Sequence, residues 1–207
     1  MPIDKEILPA DQKKLFDTLK QNAWIGEFYL AGGTGLALQY RHRKSVDFDF
    51  FNKNDFINDE VLEALRSTGD VEVQSEAKNT LHTLVNNIRV SFLGYKYPLL
   101  RDPLTLDHLK IADHLDIACM KLSAIVSRGT KKDFIDLFYL LENFALEDLF
   151  QYYSKKYPVA DYRYILLKSL VYFEDADQDP MPVLYEPVRW EEVKNKIIKE
   201  VQKTGRI

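Results

Sequence analysis

The sequence predicts an α+β chain: a mixed β-sheet with flanking helices in the first half, then a mostly helical second half. Three observations carry this. Val46-Asp47-Phe48-Asp49-Phe50-Phe51 alternates apolar and acidic residues with the period of a strand. Asn86-Asn87 lies between two β-rich apolar runs, Thr80–Val85 and Ile88–Leu93, and has the composition of a two-residue hairpin turn. Beyond Leu109 the apolar residues recur at helical spacing, as in Leu115, Ala118, Leu122 and Ile125. The change of pattern falls near residue 105. The expected organisation is an α/β core over 1–105 and a helical region over 106–207 packing on it.

Taken in order, Ile7, Leu8, Leu15, Phe16 and Leu19 place a helix over about 5–22. The aromatic run 28–31 reads as a buried strand ending at Gly32-Gly33, and a short helix follows over 34–40. After the acidic strand, Asp55 is the expected cap of a helix running to about residue 67. Val71, Val73 and Gln74 suggest a further strand, and the Asn-Asn hairpin comes next. The segment 95–103 is a proline-bounded loop, and 109–112 a short strand. Helices are expected over 113–127 and 132–143, broken by Arg128-Gly129-Thr130, then over 146–156 and 162–173. The acidic, Pro-rich stretch 175–187 reads as a loop before a closing amphipathic helix over 190–203.

Composition bounds the rest. Of 207 residues, 46% are apolar, with twelve Phe and twelve Tyr, enough for a substantial core. The net charge of -4 argues against nucleic-acid binding by bulk charge, although local basic patches remain compatible with it. The single cysteine, Cys119, allows no intrachain disulfide and sits in an apolar helical pattern as a buried thiol. No apolar run reaches the roughly 20 residues needed to span a bilayer. The charged start of the chain lacks a signal-peptide core. A cytoplasmic protein is the expectation.

The chemistry is concentrated in one constellation. A strand runs into Gly32-Gly33-Thr34-Gly35, a short helix follows, and thirteen residues separate Gly33 from Asp47. Glycines at such a turn let the backbone approach a ligand closely. A helix N-terminus offers unpaired N–H groups and the positive end of the helix dipole to phosphate. Asp47 and Asp49, two apart on a strand, project to one side while Phe48 and Phe50 project to the other. Two neighbouring carboxylates suit a hard divalent cation that is also ligated by phosphate oxygens. Either feature alone is commonplace: a Gly-Gly pair is usually a turn, and Asp-x-Asp a solvated strand face.

Together, Gly32-Gly33-Thr34, Leu36 and Arg43-x-Ser45-x-Asp47-x-Asp49-Phe50 resemble the signature of the AbiEii/AbiGii toxin family of nucleotidyltransferases, within the DNA polymerase beta-like superfamily. Lys121-x-x-Ala124-x-x-x-Arg128-x-x-Lys131-Lys132-Asp133-x-x-Asp136-Leu137 resembles that family's second signature. The resemblance covers about 28–141. It implies a nucleotidyltransferase fold and Mg²⁺- (or Mn²⁺-) dependent transfer of an NMP from an NTP to RNA such as tRNA, to protein or to a small molecule. It also implies a toxin–antitoxin or phage-defence setting with a cognate antitoxin. By the same resemblance Gly32, Gly33 and Thr34 hold the triphosphate, and Arg43 and Ser45 brace the loop or touch phosphate. Asp47 and Asp49 bind the metal, Lys121 reaches a nucleotide phosphate, and Asp133 or Asp136 completes the site. Bland alternatives are an exposed Lys121, an Asp133 that complements the helix dipole, and an Asp136 paired with Lys132. Arg128, Lys131 and Lys132 form a basic knot, either a solvated helix start or a seat for a polyanion.

One departure stands out. The superfamily usually carries a third carboxylate on a nearby strand, but 88–93 contains no acid, and Ser91 stands where it is expected. Either Asp133 or Asp136 is recruited instead, or the chain is a catalytically degenerate nucleotide-binding or protein-interaction module. A weaker alternative makes the helical half the functional surface. The histidines, His42, His82, His108 and His114, lack zinc-motif spacing, and His42 is expected to face solvent.

Overall fold

The computed structural model describes residues 3–158 and 162–205. Contacts divide the chain into two compact units, Met1–Arg41 with Ser45–Asp113, and His42–Lys44 with His114–Ile207.

The first unit holds a seven-stranded mixed sheet. Its strands are β1 (Tyr29–Ala31), β2 (Phe48–Asn52), β3 (Val71–Ala77), β4 (Thr80–Val85), β5 (Ile88–Gly94), β6 (Leu104–Leu106) and β7 (Leu109–Ile111), in the order β3-β4-β5-β2-β1-β7-β6. The β2–β5 and β1–β7 pairs are parallel and the other pairs antiparallel. The helices are α1 (Ala10–Leu19), α2 (Gly32–Tyr40) and α3 (Asn58–Arg66). The acidic strand alternates as its sequence requires: Phe48 and Phe50 are buried, while Asp49 is half-exposed on the other face. Phe50 stacks on Phe92 at 5.3 Å between centroids, and Phe28 meets Phe92 edge-on at 5.0 Å. Each such side chain contributes about 1.5–3 kcal/mol on burial, so this aromatic layer anchors β2. At the hairpin, Asn86 and Asn87 both take positive φ, 50° and 65°, the twist-matched turn expected of that pair.

Two local expectations are corrected. The first helix does not run from residue 5: a single 3-10 turn, Lys5–Ile7, precedes it, and Pro9 takes the N-cap position, where its missing N–H costs nothing. Asp55 does not cap α3. That N-cap is Ile57, and the Asp55 carboxylate instead accepts from Asn79 Nδ2 at 2.6 Å. The expected loop over 95–103 carries no helix or strand, and it is followed by β6, a three-residue edge strand turning through Asp107 at φ 51° into β7.

In the second unit α4 (His114–Ser127) and α5 (Lys131–Leu140) pair through a turn at Gly129, φ 52°. α6 (Leu146–Lys156), α7 (Tyr162–Ser169), α8 (Glu174–Gln178) and α9 (Trp190–Thr204) surround them. The Cys119 thiol is fully buried, and burial pushes it up to about 12. Lys156 and Asp116, both fully buried, form an ion pair at 2.6 Å. The stretch expected to be a loop begins with α8 and continues as an extended strap. Its Val183 carbonyl accepts from Lys44 N–H, its Tyr185 N–H donates to the His42 carbonyl, and Leu184 bridges Arg43.

Candidate active site

The structure gathers the expected site residues into two groups, one in each unit. Gly32, Gly33, Thr34, Ser45, Asp47 and Asp49 belong to the first unit; Arg43, Lys121, Asp133 and Asp136 belong to the second.

In the first group, Ala31 at the end of β1 is directly opposite Asp49 on β2, which sets the carboxylate beside the start of α2. Gly32 opens that helix with φ +64°. A Cβ there would lie 2.9 Å from Asp49 Oδ2, so any side chain would meet both backbone strain and a carboxylate. Gly32 and Gly33 are half-exposed and offer first-turn N–H groups, which have no intrahelical acceptor. Thr34 is buried. Its hydroxyl donates to the Asp47 carbonyl at 2.5 Å, leaving the Ser45 hydroxyl, 2.9 Å away, to donate to it. Thr34 and Ser45 thus fix the backbone of Asp47, which stands one residue before β2 rather than within it.

The second group is a buried ionic cluster. Asp136 is fully buried and accepts from Arg43 Nε at 2.6 Å and Arg43 Nη2 at 2.9 Å, with Lys121 Nζ at 2.5 Å. Burial alone would raise its carboxyl. The charges of Arg43 and Lys121, with hydrogen bonds from His42 and Arg43, hold it well below the usual range. An ionised carboxylate only accepts hydrogen bonds, so His42 Nε2, at 2.7 Å, carries the proton it donates. His42 is therefore not the solvent-facing residue expected: it is 1% exposed, and burial pushes its pKa down. Asp133, also buried, accepts from Lys121 at 3.0 Å, from Arg128 at 2.9 and 3.1 Å and from the Thr130 hydroxyl at 2.8 Å. Burial opposes its ionisation, but Lys121, Arg128 and Thr130 hold the group at about 2.

Asp133 and Asp136 share a buried helix face as their spacing requires, and Lys132 is exposed. The basic knot is mostly absorbed by the fold. Arg128 binds Asp133. Lys131 bonds the Asp179 carbonyl, its N–H donates to the Asp179 carboxylate, and its ammonium lies 5.3 Å from the Trp190 ring. His42, Thr130 and Asp179 were missed from the sequence; only the nearness of His42 and Thr130 to matched motif residues could have marked them.

A metal fits the first group in a limited sense. No group of three or more His, Cys, Asp or Glu side chains that could hold an ion occurs among the described residues. Two aspartates supply hard oxygen ligands, and nucleotide phosphates and water would complete the shell. Also among the described residues, no helix is long and apolar enough to cross a membrane.

Comparison with known proteins bears on the family and the fold. The family described as "Nucleotidyl transferase AbiEii toxin, Type IV TA system" matches residues 13–111. An uncharacterised protein of Aquifex aeolicus is 39% identical over 194 residues, covering 90% of this chain and 92% of that one. The fold is shared with JHP933 from Helicobacter pylori, with a TM-score of 0.60 at 18% identity, covering 95% of this chain and 93% of that one. It is shared also with MenT4, a nucleotidyltransferase toxin from Mycobacterium tuberculosis H37Rv, with a TM-score of 0.50 at 16% identity, covering 94% and 86%. The chain belongs to the AbiEii nucleotidyl transferase toxin family.

Proposed function

We propose that this protein transfers an NMP from an NTP to an acceptor hydroxyl, with Asp47 and Asp49 holding a divalent cation, Mg²⁺ or Mn²⁺. The observation that carries the proposal is the Asp49 carboxylate set against Gly32 at the exposed start of α2. A carboxylate pair and a cluster of backbone N–H groups then face one triphosphate. The cation, when bound, neutralises charge on the phosphates and on the departing pyrophosphate. Gly32 and Gly33 admit the phosphates to the backbone, and Thr34 and Ser45 keep Asp47 in place. Asp136 holds Arg43 and Lys121, and Asp133 holds Lys121 and Arg128, a positioning role for the second signature.

The physiological reading is a toxin restrained by a cognate antitoxin, with RNA such as tRNA, protein or a small molecule as acceptor. The test uses purified protein, α-labelled NTPs, Mg²⁺ and a bacterial lysate, with label counted separately in RNA, protein and small-molecule fractions. Incorporation that vanishes with Asp47→Asn/Asp49→Asn supports transfer. Undiminished incorporation in that double variant sinks it.

A second reading has its own observation. The residue opposite Asp49 on β5 is Ser91, not an acid. A catalytically degenerate nucleotide-binding module predicts Mg²⁺-dependent stabilisation by an NTP, read as a rise in melting temperature, without label transfer to any fraction.

A further inference from the structure

Directly opposite residues on neighbouring strands share a sheet face. The register therefore draws one row across five strands: Ala31 on β1, Asp49 on β2, Ser91 on β5, His82 on β4 and Ser75 on β3. Strands lie about 4.7–4.9 Å apart, so Ser91 is the immediate neighbour of Asp49 on the face away from the aromatic core. Ser91 is buried, and His82 Nδ1 lies 3.0 Å from its hydroxyl oxygen. A serine hydroxyl alone is no base at neutral pH, but imidazole takes up a proton in that range and can draw one through a hydroxyl.

We propose that Ser91 and His82 form the proton relay of this site, with His82 as the terminal acceptor. The relay rests on the nucleotidyl-transfer reading and supplies the group that would receive the acceptor's proton. The acceptor oxygen forms a bond to the α-phosphorus, and the bond from that phosphorus to the bridging oxygen breaks. Pyrophosphate leaves with the electron pair. The acceptor's proton passes to Ser91 Oγ as the Ser91 proton passes to His82 Nδ1. Ser91 is then restored as hydroxyl, and the imidazole carries the charge until solvent takes the proton. The charged groups facing His82 from neighbouring strands are Asp49, across Ser91, and Arg89 and Glu72, one row along on β5 and β3.

The experiment measures label transfer from α-labelled NTPs into the lysate fraction that accepts it, between pH 5.5 and 8.5. It pairs this with Mg²⁺·NTP-induced thermal shifts on the same variants. Wild-type transfer should fall on the acid side. His82→Gln should lower it at least about 100-fold, in the range of general-base catalysis, remove the acid limb and leave the thermal shift intact. Ser91→Ala should behave alike. Ser91→Asp in the His82→Gln background, which sets a carboxylate beside Asp49, should recover about tenfold or more. An active wild type with His82→Gln equally active at every pH overturns the relay and leaves the transfer reading standing. So does a rate loss with an unchanged acid limb, or one accompanied by loss of the thermal shift. A wild type that transfers nothing removes both.

Discussion

The molecule carries two aspartate pairs that look alike in sequence and differ in setting. Asp133 and Asp136, three apart on a helix, are buried among Lys121, Arg43, Arg128, His42 and Thr130. Asp47, one residue before β2, and Asp49 within it are half-exposed, with Asp49 beside a glycine-opened helix. A buried carboxylate must have its charge answered by the protein itself. A half-exposed carboxylate can have it answered by an incoming cation. The contrast is what the proposed function rests on, with the strand pair meeting ligand and the helix pair holding the second unit's cations in fixed positions.

The largest effect that would break this contrast is on activity. Asp49→Asn should reduce label transfer to background while the melting temperature without ligand changes little, because Asp49 lies on the face away from the aromatic core. A large loss of ligand-free stability in Asp49→Asn would place the strand pair in the structural class instead. The converse substitution acts on folding. Asp136→Ala strands Arg43 and Lys121 in a buried site and should cost about 3–5 kcal/mol, the usual penalty for breaking a buried pair, measured by urea denaturation. Asp136→Asn keeps the shape and should cost less. A stable, inactive Asp136→Ala would argue that the helix pair touches substrate.

The fold was legible wherever one physical pattern dominated. The alternation around Asp47 and Asp49 put phenylalanines in the core and a carboxylate outside, and Asn86-Asn87 supplied the two left-handed residues of its turn. Legibility failed where the decisive partner was remote. Asp55 looks like a cap until Asn79, 24 residues away, takes its carboxylate. The strap at 183–185 has no regular pattern of its own, because its hydrogen bonds go to 42–44, far back in the chain. Among the candidate residues, the side that Asp49 takes on its strand and the helix face that Asp133 and Asp136 share were readable from spacing. The engagement of Thr34, His42 and Lys121 by the fold was not, since burial of a polar residue depends on the tertiary neighbours that satisfy it.

A third prediction follows from Asp133. Its carboxyl, at about 2 in the folded protein against 3.8 as a free group, contributes roughly 2 kcal/mol at neutral pH by linkage. The depressed carboxylate contributes its full amount above pH 3.8. The contribution is lost as pH falls toward 2, so acid unfolding of wild type should be steeper there than that of Asp133→Asn. Equal acid slopes in the two proteins would mean that Lys121 and Arg128 do not hold the carboxylate as drawn.

The smallest effect belongs to His42 and is the sharpest probe of the buried cluster. Its folded pKa lies below the ordinary 6.5 because burial disfavours the cation, even though Asp136 pulls the other way. A histidine lowered on folding binds more protons when unfolded, so its contribution is complete above about pH 6.5 and declines as pH falls through the window below it. For one proton the slope cannot exceed about 1.4 kcal/mol per pH unit. Wild-type stability should therefore decline between pH 6.5 and 5, above the range where Asp133 titrates, and His42→Gln should flatten that decline. If the histidine were instead charged and salt-bridged to Asp136, the sign would reverse. Stability would rise on acidification through the same window, and the cluster would hold one more cation than the neutral ring allows. Urea midpoints at pH 7, 6 and 5 for the two proteins distinguish the cases.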